Sequence, residues 1–416
     1  MTNPHVLASI VRASEQCEIV AHQDILDANG VKLWAKNQPI SRALQQRLLE
    51  RKLQQPLESC LRAEDGVTHA ALTEQARALL DTKPLLLSGV GPWADALLAD
   101  IGLLPLHPVA QLLLTAARSN TPNAYQHGVM SMLLAGALAT EAGGDRYQVR
   151  LHMLGGLLHD LGELYIQGDY LTTDGLPVDR DAWRQICVHP RVGEMLLQRQ
   201  TDYPRELCRA VGEHHERGNG IGYPARSRQI SRLGRSLAAV EVFMGVLGTE
   251  HPDAWEHAGL AVRLLPSEFD LAAASFASHA ARRHQALGSQ PSIPAPDEIW
   301  ARAQSHKSAI QAALKESWLL GSLAVSPRLT AEAGLVFSIL QELLLACDAL
   351  GLWAPRQLVG EQLHELHLVN QELNYRMQVL PRVVCWMDDR WSGKEQAALD
   401  RIWGALRGER LEEATS

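Results

Sequence analysis

The stretch VRLHMLGGLLHDLGEL, residues 149–164, decides how this chain is read. Leu151, Leu154, Leu158 and Leu161 recur at spacings of three and four, which predicts a buried helix. His152 and His159 stand seven positions apart, two helical turns, so they share a face. A histidine and an aspartate, His159-Asp160, close this otherwise apolar run. Both are costly to bury there unless they are paired or bind a metal.

Working outward, helical periodicity dominates from about residue 73. LTEQARALLDT (72–82), ADALLADIG (94–102), PVAQLLLTAARS (108–119) and GVMSMLLAGALATEA (128–142) carry apolar residues three and four apart. Before them, EIVAHQDILDANGVKLW (18–34) reads as two short strands around Asn29-Gly30, a dipeptide suited to a two-residue hairpin turn. ISRALQQRLLERKL (40–53) places Ile40, Leu44, Leu48 and, less strictly, Leu53 on one helical face, with Ser41 as its start. After the decisive stretch, GSQPSIPAPD (288–297) holds three prolines and reads as a linker. Beyond it, Leu366, Val369, Leu373, Met377 and Leu380 form a stripe over 361–380, expected to be a packing face within a bundle; a homodimer seam is the sharper alternative. The fold class expected is mainly α, with a small α+β N-terminal segment and a helical C-terminal region. There is no internal repeat.

The 416 residues suggest two or three domains. A hydrophobic share of 46% and a charged share of 21% are globular values. With 39 Lys and Arg against 47 Asp and Glu the net charge is −8, which argues against wrapping a long nucleic acid. A small anionic ligand stays open, because a bound metal supplies positive charge locally. The cysteines Cys17, Cys60, Cys187, Cys208, Cys347 and Cys385 form no CxxC pair, which points away from a disulfide scaffold or zinc ribbon and toward a reducing compartment. The start, MTNPHVLASIVRASEQC, has neither a basic n-region nor an apolar h-region, so no secretory leader is expected. Charges interrupt 85–106 at Asp95 and Asp100, and 334–354 at Glu342 and Asp348, so no membrane span is expected and the protein reads as cytoplasmic.

Among the 17 histidines, one ordered set stands out: His127, His159, His189, His214 and His215, with Asp160. Any one of them alone is more often a core or surface histidine. As a set, imidazole and carboxylate suit iron, manganese, zinc or nickel. A carboxylate can bridge two cations and a histidine cannot. Five histidines with Asp160 are therefore what a dinuclear site requires, and such a site suits in-line phosphoryl displacement.

The order His, His-Asp-x-Gly, His-Pro, His-His-Glu-Arg and Gly222-Tyr223-Pro224 resembles the HD-GYP family of bacterial phosphodiesterases, a branch of the HD phosphohydrolases. The resemblance covers roughly 105–286, where LLPSEFDLAAASF (264–276) looks like the family's closing helix. It implies an all-helical HD-type domain and hydrolysis of cyclic di-GMP to pGpG or GMP through a dinuclear metal site and a bridging hydroxide. His127, His159, Asp160, His189, His214 and His215 correspond to metal ligands, with His159 and Asp160 as the catalytic pair. Glu241 occupies the register of the family's final aspartate ligand. Gly220, Gly222, Tyr223, Pro224 and Arg217 would contact substrate. Two divalent ions are implied, iron or manganese first, then nickel or zinc. A diguanylate cyclase of the GGDEF type is an implied partner. The boundaries follow as a regulatory region over 1–104, the hydrolase domain over 105–287, the linker over 288–297 and a helical domain over 298–416.

The chain departs from the family's pattern at four places. Glu163 stands where the family has a lysine near the metals, which predicts low turnover. Asn123 replaces a glutamate that supports a third metal, so two are expected. Asn219 replaces an aspartate in the loop before Tyr223, and VLGTEHPDAW (246–255) stands where an arginine-rich sequence follows the last ligand. Arg226, Arg228 and Arg232 remain, beside Arg217, as candidates for phosphate contact, with solvated surface charge as the alternative for any one of them. These departures also fit a receptor that binds cyclic di-GMP or a signalling partner without efficient turnover. A hydrolase of another nucleotide is the third reading.

Overall fold

In the computed structural model, residues 3–49, 51–170, 179–286, 294–322, 326–353, 360–386 and 391–408 are described. The chain divides into two compact units. Unit 1 comprises Met1–Arg217 with Tyr223–Gly248, and unit 2 comprises Gly218–Gly222 with Thr249–Ser416.

Unit 1 begins with α1 (Pro4–Ala13), whose N-cap Asn3 accepts from the amides of His5 and Val6. The strands β1 (Ile19–Ala21), β2 (Ile25–Leu26), β3 (Lys32–Trp34) and β4 (Leu61–Ala63) make two small antiparallel pairs. The expected hairpin is β2 with β3, and Asp27 shapes its turn by accepting from the amides of Asn29 and Val31, each at 2.9 Å. Residues 19–21 are not part of it. They pair with β4, placing Val20 opposite Arg62. Ile19, Val20 and Ala21 are all buried, so both faces of β1 are covered, which a lone two-stranded hairpin cannot do. The next helix, α2 (Arg42–Leu49), is shorter than the 40–53 pattern, and Leu53 instead bridges Asp27.

From residue 69 onward unit 1 is helical: α3 (His69–Thr82), α4 (Pro84–Val90), α5 (Ala94–Ile101), α6 (Pro108–Asn120), α7 (Pro122–Glu141) and α8 (Arg146–Leu158). A 3₁₀ segment, His159–Tyr165, follows directly, and then come α9 (Arg180–Gln200), α10 (Arg205–Glu213) and α11 (Arg232–Leu247). Asp145 and Gln148 close a reciprocal capping box at the start of α8. Helices α7 and α8 pack face to face, and Gly156 allows it: a Cβ there would lie 2.4 Å from the carbonyl oxygen of Ser131.

Unit 2 contains α12 (Ala254–Arg263), α13 (Leu271–Gln285), α14 (Pro296–Ser322), α15 (Pro327–Ala349), α16 (Glu361–Pro381) and α17 (Gly393–Leu406). Residues 288–293 of the proline-rich stretch lie outside the described residues, and α14 starts at its last proline, Pro296. The stripe on α16 packs into the core of its own unit, with Leu366, Val369, Leu373 and Leu380 buried and Met377 against them. Among the described residues, α15 is long and apolar enough by length and composition to cross a bilayer. Its Leu329, Val336, Leu340 and Leu343 are buried in the core of unit 2. The mainly helical fold expected from the sequence is the one observed, and all six cysteines are free and buried.

Candidate metal centre

Four helices and one 3₁₀ segment of unit 1 converge on a single carboxylate. His127 comes from α7, His159 and Asp160 from the 3₁₀ segment after α8, His189 from α9, His214 and His215 from the end of α10, and Glu241 from α11. Asp160 has two faces. Its Oδ2 lies 2.9 Å from Nε2 of His159 and 3.4 Å from Nε2 of His127. Its Oδ1 lies 3.3 Å from Nε2 of His189 and 3.4 Å from Nε2 of His214. Glu241 Oε2 completes the first set at 3.3 Å from both His127 and His159. His215 joins the second. The donor atoms within each set, His127–His159–Asp160–Glu241 and Asp160–His189–His214–His215, all lie within 4.8 Å of one another. All seven residues expected to ligate metal are thus brought together, with Asp160 common to both sets.

The histidines are aimed by unused backbone carbonyls. A helix leaves its last four carbonyls without intrahelical partners. His159 directs Nδ1 to Gly156 O at 2.9 Å, near the end of α8, and His214 directs Nδ1 to Val211 O at 2.6 Å, near the end of α10. His189 sits inside α9, where no carbonyl should be free. There Pro190, lacking an N–H, leaves the carbonyl of Ile186 unclaimed, and Nδ1 of His189 takes it at 2.7 Å. Each ring with Nδ1–H donating outward turns its Nε2 lone pair inward, the tautomer a metal ligand needs. This gives His-Asp, His-Pro and His-His a common physical basis. His152, by contrast, bonds Gln148 O through Nδ1 at 2.7 Å and takes no part.

Close packing fixes the 3₁₀ segment against α9. A Cβ on Gly162 would stand 2.1 Å from the carbonyl oxygen of His189 and 2.9 Å from the amide of Gly193, so only glycine fits. Two glutamates that the sequence reading left without a role hold the rest. Glu213 accepts from the amide of Ser231 at 2.9 Å and from its hydroxyl, and Ser231 is the N-cap of α11, which carries Glu241. Glu216 accepts from the amides of Ala225 at 2.6 Å and Ser227 at 2.8 Å, pinning the chain after Tyr223. Ser231 before an apolar periodic run is the legible signal of the first; the second is marked as the glutamate of His-His-Glu-Arg, though not for this hydrogen-bonding part.

The electrostatics follow from burial against pairing. Burial alone would raise the carboxyls of Asp160 and Glu241, yet the facing imidazoles hold both well below the usual carboxylate range. Burial would lower His159, but Asp160 and Glu241 raise it well above its usual value. His214 is pushed down to about 4 by burial, with His159 and His189 adding to it against the pull of Asp160. Glu163 is different. Burial, then the nearby Asp160, push its carboxyl up to about 7, so near neutral pH its neutral and anionic forms are both populated.

Among the residues expected at the mouth, Tyr223 stacks on His215 with centroids 4.4 Å apart and 21° between planes, and Trp183 meets Tyr223 edge-on at 5.7 Å. The Tyr223–Pro224 peptide is cis. Arg217 donates to the carbonyls of Glu216 at 2.9 Å and His214 at 3.4 Å, bracing the ligand loop. Gly220 and Gly222 lie in the 218–222 segment assigned to unit 2. Asn123 lies in the first turn of α7. The donor set suits first-row divalent ions: it is imidazole and carboxylate with no thiolate. Oε2 of Glu241 is moreover buried without a well-aligned hydrogen bond.

Residues 124–242, which carry all seven of these groups, match the model of the HD domain family. The relatives this chain resembles are named as phosphodiesterases of cyclic dinucleotides. A 3'3'-cGAMP-specific phosphodiesterase 3 of Vibrio cholerae is 32% identical over 98 residues, 23% of this chain and 21% of that protein. A cyclic di-GMP phosphodiesterase of Pseudomonas aeruginosa is 31% identical over 139 residues, 33% of each chain. A cyclic di-GMP phosphodiesterase response regulator of Xanthomonas campestris is 29% identical over 126 residues, 29% of this chain and 33% of that protein. The chain therefore spans about a fifth to a third of the length of the curated relatives it matches.

Proposed function

We propose that this protein is a metal-dependent phosphodiesterase that hydrolyses cyclic di-GMP to pGpG or GMP. The observation that carries the reading is Asp160, one carboxylate offering Oδ1 to one histidine set and Oδ2 to the other. Its supports are the HD domain and the relatives' names. His127, His159, Asp160 and Glu241 would hold one ion, and Asp160, His189, His214 and His215 a second; iron or manganese suits them first. Divalent ions there would supply an activated water at neutral pH and neutralise charge on the phosphoryl group in the transition state.

The chain's own residues do the rest. The three Nδ1–H contacts to Gly156, Ile186 and Val211 keep the rings fixed, so little reorganisation accompanies reaction. Tyr223, stacked on His215, would be held beside the metal ligands for contact with the dinucleotide. Glu163, its carboxyl pushed up to about 7 by burial and by Asp160, would stand partly neutral where a lysine would place a cation, and divalent ions bound nearby would favour its anionic form. In this reading residues 105–287 are the hydrolase module and 1–104 a regulatory region, and the protein works in the cytoplasm beside a GGDEF-type cyclase.

The test is the metal content of purified full-length protein followed by product analysis with cyclic di-GMP and 3'3'-cGAMP. Two ions per chain and release of pGpG or GMP are expected, with both lost in His159→Ala and Asp160→Ala. Cleavage confined to 3'3'-cGAMP would move the substrate to the hybrid dinucleotide. Tight binding of cyclic di-GMP without turnover, unchanged in those variants, would replace the enzyme by a receptor, a reading that Glu163 and Asn219 also fit.

A further inference from the structure

The 3₁₀ segment that opens with His159-Asp160 ends at Tyr165, and Tyr165 is held at both of its polar ends by the N-terminal part of the chain. Its hydroxyl donates to Oε1 of Glu58 at 2.6 Å, and its carbonyl accepts from Nδ2 of Asn3 at 3.0 Å. Both partners are themselves fixed. Glu58 is only 5% exposed, in the turn that leads into β4, and Asn3 spends its other amide atom capping α1. Helix α1 packs against the same 3₁₀ segment. Next to Glu58, the Ser59 hydroxyl donates to Oε1 of Gln200 at 3.0 Å, and Gln200 ends α9, the helix of His189.

The geometry points to Tyr165 and Glu58 as positioning residues through which the N-terminal segment sets the placement of Asp160. Asp160 and Tyr165 belong to one stretch of tight 3₁₀ backbone, and Gly162 between them lies against the backbone of His189. The segment is therefore a short rigid lever. One end carries the shared carboxylate and the other is gripped by a buried carboxylate from outside the HD domain. A hydrogen bond to a buried charged acceptor is among the stronger single contacts, and deleting its donor leaves the charge with one partner fewer. Displacing Asn3 or Glu58 would loosen the lever at Tyr165 and shift Asp160 relative to both histidine sets. That gives residues 1–104 a physical route to the metal centre. The inference extends the metal-centre reading but needs it only for the second of two readouts.

The experiment compares full-length wild type with Tyr165→Phe, Glu58→Ala and Glu58→Gln. The first readout is amide hydrogen exchange at residues 159–166 in metal-free protein, with α7 as internal reference. Tyr165→Phe and Glu58→Ala are expected to speed exchange of 159–166 about tenfold, as loss of one hydrogen bond to a charged group does, with α7 unchanged. Glu58→Gln, whose amide oxygen still accepts the phenol proton, stays within about twofold of wild type. The second readout is titration with Mn²⁺ alone, where the first two variants are expected to bind about five- to tenfold more weakly and Glu58→Gln to be restored. Unchanged exchange at 159–166 in Tyr165→Phe overturns the inference, as does Glu58→Gln behaving like Glu58→Ala. A wild type that binds no Mn²⁺ overturns the metal-centre reading alone, and the exchange result still decides the coupling.

Discussion

Pro190 shows how one residue can work against its own helix and for the site. A proline inside a helix costs about 3 kcal/mol against alanine, and here the amide it lacks frees Ile186 O for His189. Pro190→Ala is therefore expected to raise the thermal midpoint while lowering Mn²⁺ affinity by about tenfold or more, because the backbone N–H gained at this position reclaims the carbonyl. Paired melting and metal titration check it, and affinity equal to wild type would refute the account. Asp160→Asn is expected to reduce bound metal from two ions to at most one, measured by elemental analysis. The candidate set is legible in the sequence because His159, His189 and His214-His215 each travel with a diagnostic neighbour, while His127 is marked only by its place ahead of them. Their aim is not, since it depends on which carbonyls the helices leave free.

Elements explain what single residues cannot. The 3₁₀ segment and α9 meet so closely at Gly162 that Gly162→Ala must push apart the backbones bearing Asp160 and His189. A destabilisation of about 1–3 kcal/mol by denaturant melt is expected, together with a metal affinity loss larger than that of the equally buried Leu161→Ala. At this scale the sequence was read well where periodicity is local. The run 149–164 gave a buried helix ending at His159-Asp160, and the 361–380 stripe gave a packing face. It was read less well where pairing is distant. Residues 19–21 bond to 61–63, far along the chain, and nothing in three apolar residues names so remote a partner.

At the scale of the whole molecule, the second unit carries a buried charge network of its own. Arg376 is clamped by Glu268 and by Glu372, the latter through Nε at 2.6 Å, and also donates to Ala261 O at 2.8 Å. His257 Nε2 approaches Glu372 at 3.3 Å. Burial would raise the Glu372 carboxyl, but Arg376 and His257 hold it below its usual 4.5. A carboxyl depressed in the folded state stabilises above its unfolded pKa and loses that contribution as pH falls through the folded value. Glu372→Gln should then cost about 3–5 kcal/mol at pH 7, with the deficit shrinking as the medium is acidified below about 4.5. Urea melts at several pH values read this directly; a deficit constant with pH would contradict it. This network was invisible in sequence because α12 and α16 lie far apart along the chain and their charges follow no motif.

The sharing of Asp160 has a consequence for how metal is taken up. If the proposed pair of ions is held there, a carboxylate offered on both oxygens makes the two sites partners in one equilibrium, and whatever the first ion does to the affinity for the second is returned in equal measure. Two effects oppose each other: an ion on one oxygen fixes the carboxylate for the other, while two neighbouring dications repel. The shape of a Mn²⁺ titration, steep or drawn out, would therefore report which of the two governs loading.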